Sequence, residues 1–157
     1  RQLGRSIAFE ASVGGGIPII AAMGQSLTAN QIESIHAILN GTSNYILTKM
    51  AEDGLSFERA LREAQQLGFA EKDPTLDVSG IDAAHKLCVL VRLAFHVPIT
   101  MQEIVTRGIS GIEPTDIEFA SDNVGEETGA IFFQKVHSLK ISSYLCINLH
   151  NFRLNAD

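Results

Sequence analysis

Residues 6–13 read as a strand, and residues 32–39 alternate with the period of one, Ile32, Ser34 and His36 opposing Ile35, Ala37 and Leu39. Each run ends in a turn that leads into a helix. The first turn is Gly14-Gly15-Gly16, with Pro18 near the start of an apolar segment through Met23. The second is Asn40-Gly41-Thr42-Ser43, which offers an N-cap to a helix bearing Ile46, Leu47 and Met50. Helical spacing is clearest after Ser56, an N-cap followed by Phe57, Ala60, Leu61, Ala64 and Leu67 on one face, with Gly68 as the C-terminal stop. Residues 71–80 then form a loop, and from Ile81 to Phe95 apolar residues occupy nearly every side, which predicts a helix lying in the core. Val97-Pro98 ends that pattern; 104–109 predicts a short strand, and Thr115-Asp116-Ile117-Glu118 has capping-box spacing for another helix start. Beyond Ser121 the signal weakens, with 131–133 and 141–147 as strand candidates. Strands alternating with helices point to an α/β or α+β fold, its sheet covered mainly on one face.

At 157 residues the chain fits one domain with a real core, and 45% apolar with 19% charged residues describes a globular protein. The net charge of −6, with its twelve lysines and arginines scattered, argues against a nucleic-acid surface, although acidic small molecules stay open because a local site can oppose the global sign. No run approaches the roughly 18 apolar residues of a membrane span. The opening Arg1-Gln2-Leu3-Gly4-Arg5 lacks a signal-peptide core and an initiator Met, so the chain is expected to begin mid-protein. Cys88 and Cys146 have neither CxxC spacing nor a disulfide framework around them, which favours a reducing, cytoplasmic setting.

Chemistry concentrates between Gly68 and Lys86, where Glu71, Asp73, Asp77 and Asp82 run into the apolar helix. Asp82 and Lys86 stand four apart, hence on one helix face, and an ion pair taken from water adds little net stability unless it is well hydrogen-bonded. A partly desolvated lysine held by a carboxylate suits proton transfer to or from a hydroxyl, and further carboxylates suit a substrate ammonium. The bland alternative is a solvated loop at 71–73 and a simple cap at 77–80. His85 has no second His or Cys at ligand spacing and reads as a polar or satisfied core position. Glu10 before the triple glycine could, with turn carbonyls, hold a cation; the glycines could instead cradle an anion or serve only the turn. The Asn40-Gly41-Thr42-Ser43-Asn44 turn could bind a carboxylate or only cap its helix. A cation-dependent lyase or hydrolase with a divalent metal at Glu71, Asp73 and Asp77 is a weaker rival.

Three segments in order, Phe9 to Ile20, Ile38 to Leu47 and Gly68 to Lys86, resemble the catalytic region of homoserine dehydrogenase. The resemblance covers about residues 6–120 and leaves 121–157 as an unassigned, divergent or truncated segment. It implies an α+β fold of the homoserine dehydrogenase catalytic-domain type, incomplete here because the family's N-terminal dinucleotide-binding domain is missing from the sequence. It also implies NAD(P)-dependent interconversion of homoserine and aspartate semialdehyde, on the route to threonine, isoleucine and methionine, in a homodimeric full-length enzyme. Carried over by position, Lys86 matches the catalytic proton-transfer lysine, and Glu71 and Asp82 match acids that bind homoserine. Asp77, Thr42 and Gly41 line the same pocket, while Gly68 lies where the backbone approaches the nicotinamide cofactor. Glu10, with the carbonyls of Val13, Gly15 and Ile17, matches a monovalent-cation site, usually sodium. A chain without the dinucleotide-binding domain is expected to be inactive alone. The competing expectation is a non-catalytic module derived from that enzyme, binding the amino acid or forming the dimer contact.

Overall fold

The computed structural model describes residue 4, residues 6–32, residue 35 and residues 37–122. In chain order the helices are α1 (Ile19–Ala21), continued by a π-helical turn (Ala22–Ser26), α2 (Gly41–Asp53), α3 (Phe57–Gln66), α4 (Thr75–Val78), α5 (Ile81–Phe95), a 3-10 turn (Met101–Glu103) and α6 (Pro114–Asp122). No strand is assigned among the described residues. Residues 6–10 run without strand pairing, Ile35 forms an isolated bridge, and Glu33, Ser34 and His36 lie outside the described set. The strand candidates at 131–133 and 141–147, and Cys146, also lie outside it.

Helix boundaries follow the capping signals. Asn40 is the N-cap of α2, its Oδ1 accepting the Ser43 N–H at 2.8 Å, and Ser56 opens α3. Gly68, with φ +80°, ends α3 as expected, although Leu67, assigned to its apolar face, is 58% exposed. α5 has the predicted ends. It closes on His96 at φ +56°, a left-handed cap ahead of Val97-Pro98. The loop at 71–80 contains the one-turn α4, started by Asp73, whose carboxylate accepts the Thr75 hydroxyl and N–H. Those two bonds, the hydroxyl's first, hold the Asp73 carboxyl below the usual carboxylate range.

Two expectations are corrected. Residues 105–108 form no strand; the segment crosses the α4–α5 corner, where the Ile109 N–H donates to the Val78 carbonyl at 2.8 Å and the side chains of Ile104 and Ile109 are buried. The last helix starts at Pro114 rather than after Thr115. Proline suits the first helical position, and Asp116 reaches back to accept the Glu113 N–H at 2.9 Å. A capping box does exist at Thr100 and Glu103, whose carboxylate accepts both the Thr100 N–H and its hydroxyl.

The buried side chains form two clusters. One gathers Val13, Met23 and Leu39 against the inner face of α5 (Ala84, Leu87, Val91); the other packs α2 (Ile46, Leu47, Met50) on α3 (Ala60, Ala64), with Ile109 and Ile117. Complete burial of a side chain such as Ile46 or Leu87 contributes about 1.5–3 kcal/mol. α5 is not apolar all round: His85 and Arg92, seven residues apart, share an exposed side. The 105–108 segment fits so closely that a Cβ on Gly108 would stand 2.6 Å from the Val78 carbonyl oxygen. Gly108→Ala is therefore expected to destabilise the protein by about 1–3 kcal/mol, read as a lower denaturant midpoint. An unchanged midpoint would show that this crossing yields freely.

Candidate active site

The site lies where the two clusters meet. Leu39 belongs to the first, Ile46 on α2 to the second, and Asn40 stands between them, 3% exposed. α4 and α5 are joined by Ser79 and Gly80, and Gly80 takes φ +83°, a conformation available without strain only to glycine. That turn brings Asp77 on α4 and Asp82 on α5 to the same asparagine. The Asn40 Nδ2 donates to Asp77 Oδ1 at 2.6 Å and to Asp82 Oδ2 at 2.8 Å. Lys86, one turn along α5, donates from Nζ to Asp82 Oδ2 at 2.5 Å and to the Leu39 carbonyl at 2.9 Å. Buried Ser43 completes the ring of contacts, its hydroxyl donating to the Asp77 carbonyl at 3.1 Å.

The predicted ion pair is thus present, at the edge of the core rather than within it: the Lys86 and Asp82 side chains are 26% and 30% exposed. Such a pair is reachable by a small molecule. An ammonium has three N–H donors, of which two are occupied among the described residues, so one remains for a ligand oxygen. Asn40 gathers two carboxylates, of which Asp82 alone pairs with the lysine, so Asp77 is left as a negative group that an incoming ammonium could meet.

The other predicted residues are arranged around this centre with different degrees of engagement. Gly41 and Thr42 open α2 beside Asn40, and the Thr42 hydroxyl donates to the Phe69 carbonyl at 2.7 Å. Phe69 also packs against the Tyr45 ring, centroids 4.8 Å apart, so the 68–70 turn is tied to α2 at two points. Gly68 borders open space, with nothing within 4 Å of a Cβ built there, and Phe69 is 56% exposed beside it. Glu71 stays on the exposed rim; its backbone carbonyl accepts from Gln65 Nε2 at 3.0 Å, and its carboxylate has no hydrogen bond or ion pair among the described residues. Asp73 does not join Asp77, being engaged by Thr75, and His85 is exposed. No group of three or more His, Cys, Asp or Glu side chains is placed to hold a metal among the described residues.

Glu10 is organised apart from this centre. Its two carboxylate oxygens accept the N–H groups of Ile20, at 2.7 Å, and Ala21, at 2.9 Å, so it caps α1 across the glycine turn. Within the turn Gly14 and Gly15 both have positive φ, and the Ile17 N–H donates to the Gly14 carbonyl at 3.0 Å. The carbonyls of Val13 and Gly15 accept no hydrogen bond among the described residues.

The sequence leaves the Asn40 turn open between binding a carboxylate and capping its helix, and Asn40 does both, its amide donors meeting the protein's own Asp77 and Asp82; the Leu39 carbonyl is not foreseen. Its signal is weak but present: the residue that ends an alternating run and begins a helix has its main chain turned toward whatever lies beside both.

A family model described as homoserine dehydrogenase matches residues 18–132. A curated homoserine dehydrogenase of Helicobacter pylori is 54% identical over 116 residues, covering 74% of this chain and 28% of that protein. Among solved structures, a homoserine dehydrogenase from Thiobacillus denitrificans superposes with a TM-score of 0.71 at 50% identity, covering 73% of this chain and 27% of that one. A hyperthermophilic archaeal homoserine dehydrogenase mutant in complex with NADPH matches with a TM-score of 0.62 at 35% identity, covering 68% and 32%. The chain spans between about a quarter and two fifths of the length of the curated relatives it matches. No helix among the described residues is long and apolar enough to cross a membrane.

Proposed function

The chain belongs to the homoserine dehydrogenase family, and from that premise we propose that it carries the substrate-binding and proton-transfer part of an NAD(P)-dependent interconversion of homoserine and aspartate semialdehyde. The observation that carries this reading is the convergence of Lys86, Asp82, Asp77 and Asn40 on one half-buried spot. In the oxidative direction the Lys86 amine, directly or through water, takes the proton of the homoserine hydroxyl, and Asp82 steadies the ammonium that results. Asp77, Asp82 and Glu71 on the rim attract the substrate's own ammonium. Its carboxylate meets the N–H groups of Gly41 and Thr42 at the start of α2, which have no hydrogen-bond acceptor among the described residues.

The open approach at Gly68 and the exposed ring of Phe69 fit a flat aromatic group, so this turn is where a nicotinamide would lie. When bound, NAD(P) supplies the hydride acceptor. In the glycine turn, the Val13 and Gly15 carbonyls, uncommitted among the described residues, support a monovalent cation, sodium by family likeness, shared with Ile17 and Glu10. The Glu10 carboxylate, already accepting two N–H groups, contributes charge there and fixes the turn. The exposure of Ile7, Phe9 and Ile38 on extended segments supports a sheet face awaiting partners, as in the α+β catalytic domain of a homodimer. A reducing, cytoplasmic setting rests on the sequence, whose two cysteines have no CxxC spacing or disulfide framework; burial pushes the Cys88 thiol up.

The deciding experiment is homoserine-dependent reduction of NAD or NADP by the full natural polypeptide that carries this sequence, with equilibrium binding of both ligands. Turnover and binding of both are expected. Homoserine binding without cofactor binding or turnover would establish instead a non-catalytic amino-acid-binding module.

A further inference from the structure

Every hydrogen-bonding group of the Asn40 side chain is used, and only half of that use is explained by helix capping. An N-cap requires an oxygen, and serine or aspartate supplies it as well as asparagine does. Here Oδ1 meets the Ser43 N–H, which fixes the amide's orientation; the reverse one would aim its oxygen at two carboxylates and its NH2 at a backbone donor. Both Nδ2 protons therefore go to Asp77 and Asp82. Two carboxylates repel one another, and a neutral fork of donors is the group that can hold both without cancelling either charge. Asp82 Oδ2 also receives Lys86, so the position of the ammonium depends on where Asn40 holds that carboxylate.

We propose that Asn40 is a positioning residue: its amide clamps Asp77 and Asp82 together and thereby fixes Lys86 against the Leu39 carbonyl. The clamp stands on the geometry, while its consequence for catalysis rests on the functional reading above. The residue is suited to the task because it follows Leu39 of one apolar cluster, precedes the helix that carries Ile46 of the other, and is 3% exposed with its amide held at three points.

The test uses Asn40→Ser and Asn40→Asp in the full natural polypeptide. Both keep a capping oxygen and neither can donate two N–H groups; Asn40→Asp adds a third carboxylate at a position 3% exposed and is expected to melt well below wild type, so the kinetic comparison is read on Asn40→Ser, taken at a temperature where it is fully folded. With homoserine as substrate, kcat/KM falls by about 100-fold, the loss expected of a small misplacement of a reacting group, and KM for NADP is unchanged. A crystal structure of Asn40→Ser shows the two carboxylates farther apart and Lys86 Nζ withdrawn from the Leu39 carbonyl. Carboxylates in their original places, or rates equal to wild type, would overturn the clamp. If instead the carboxylates separate but wild type reduces no cofactor with homoserine, the clamp stands and the functional reading falls. Should either variant fail to fold, the wild-type Asn40 amide decides by NMR: two slowly exchanging, downfield NH2 protons support the clamp, and fast-exchanging random-coil signals overturn it.

Discussion

Lys86→Ala is expected to lower kcat for homoserine oxidation by about 10²–10⁴-fold, the usual contribution of a positioned proton-transfer group, while leaving the melting temperature within a few degrees. The contrast follows from position. Lys86 is partly exposed, so its removal leaves no cavity in the core, and Asp82 keeps its bond from Asn40 and becomes open to water. Lys86→Arg separates charge from proton transfer. It preserves a cation opposite Asp82, but a guanidinium stays protonated at any working pH and cannot act as the base. Arginine should therefore rescue substrate binding more than turnover. Lys49→Ala is the control, since that ammonium pairs with Asp53 on α2 and belongs to a separate surface group with Glu63. Near-normal turnover by Lys86→Ala would remove the lysine from the mechanism, and equal losses from both lysines would point to general electrostatics.

Much of this site could be read along the chain because its parts are local. The Asp82–Lys86 pair needs only the helical repeat, the α2 and α3 starts need only Asn40 and Ser56, and the Gly68 stop needs only a residue that accepts positive φ. What could not be read depends on elements meeting in space. Nothing in the order of residues says that Asn40 faces Asp77, thirty-seven positions away, or that Glu10 reaches past three glycines to cap α1. Residues 104–109 illustrate the opposite error. An apolar run suggested a strand, yet its isoleucines are buried by crossing a helix corner, and a strand requires a neighbour to complete its ladder. Residues 6–10 likewise form no ladder among the described residues, and there Ile7 is exposed rather than buried. Thr115 misled because the capping pattern is short and common, and Pro114, a stronger starting signal, stood one residue before it.

Leu87→Ala is expected to have the converse effect, costing about 2–5 kcal/mol of stability while sparing the chemistry of whatever fraction stays folded. Leu87 is fully buried in the cluster that contains Leu39 and Val13, and it follows Lys86 directly on α5. Set against the roughly 5–15 kcal/mol that holds a typical domain together, such a loss is a large share of the whole. Urea unfolding should show the midpoint falling with little change in slope. Leu76→Ala, at a position 58% exposed on α4, should stay within about 0.5 kcal/mol of wild type. Because Leu39 supplies both a side chain to this cluster and the carbonyl that receives Lys86, relaxation around the Leu87 cavity has a path to the lysine. If that path matters, Leu87→Ala lowers kcat below what the folded fraction accounts for, and the excess disappears when Lys86 is already alanine. A loss that is the same in both backgrounds would mean that the cluster supports α5 as a body without setting the lysine's aim.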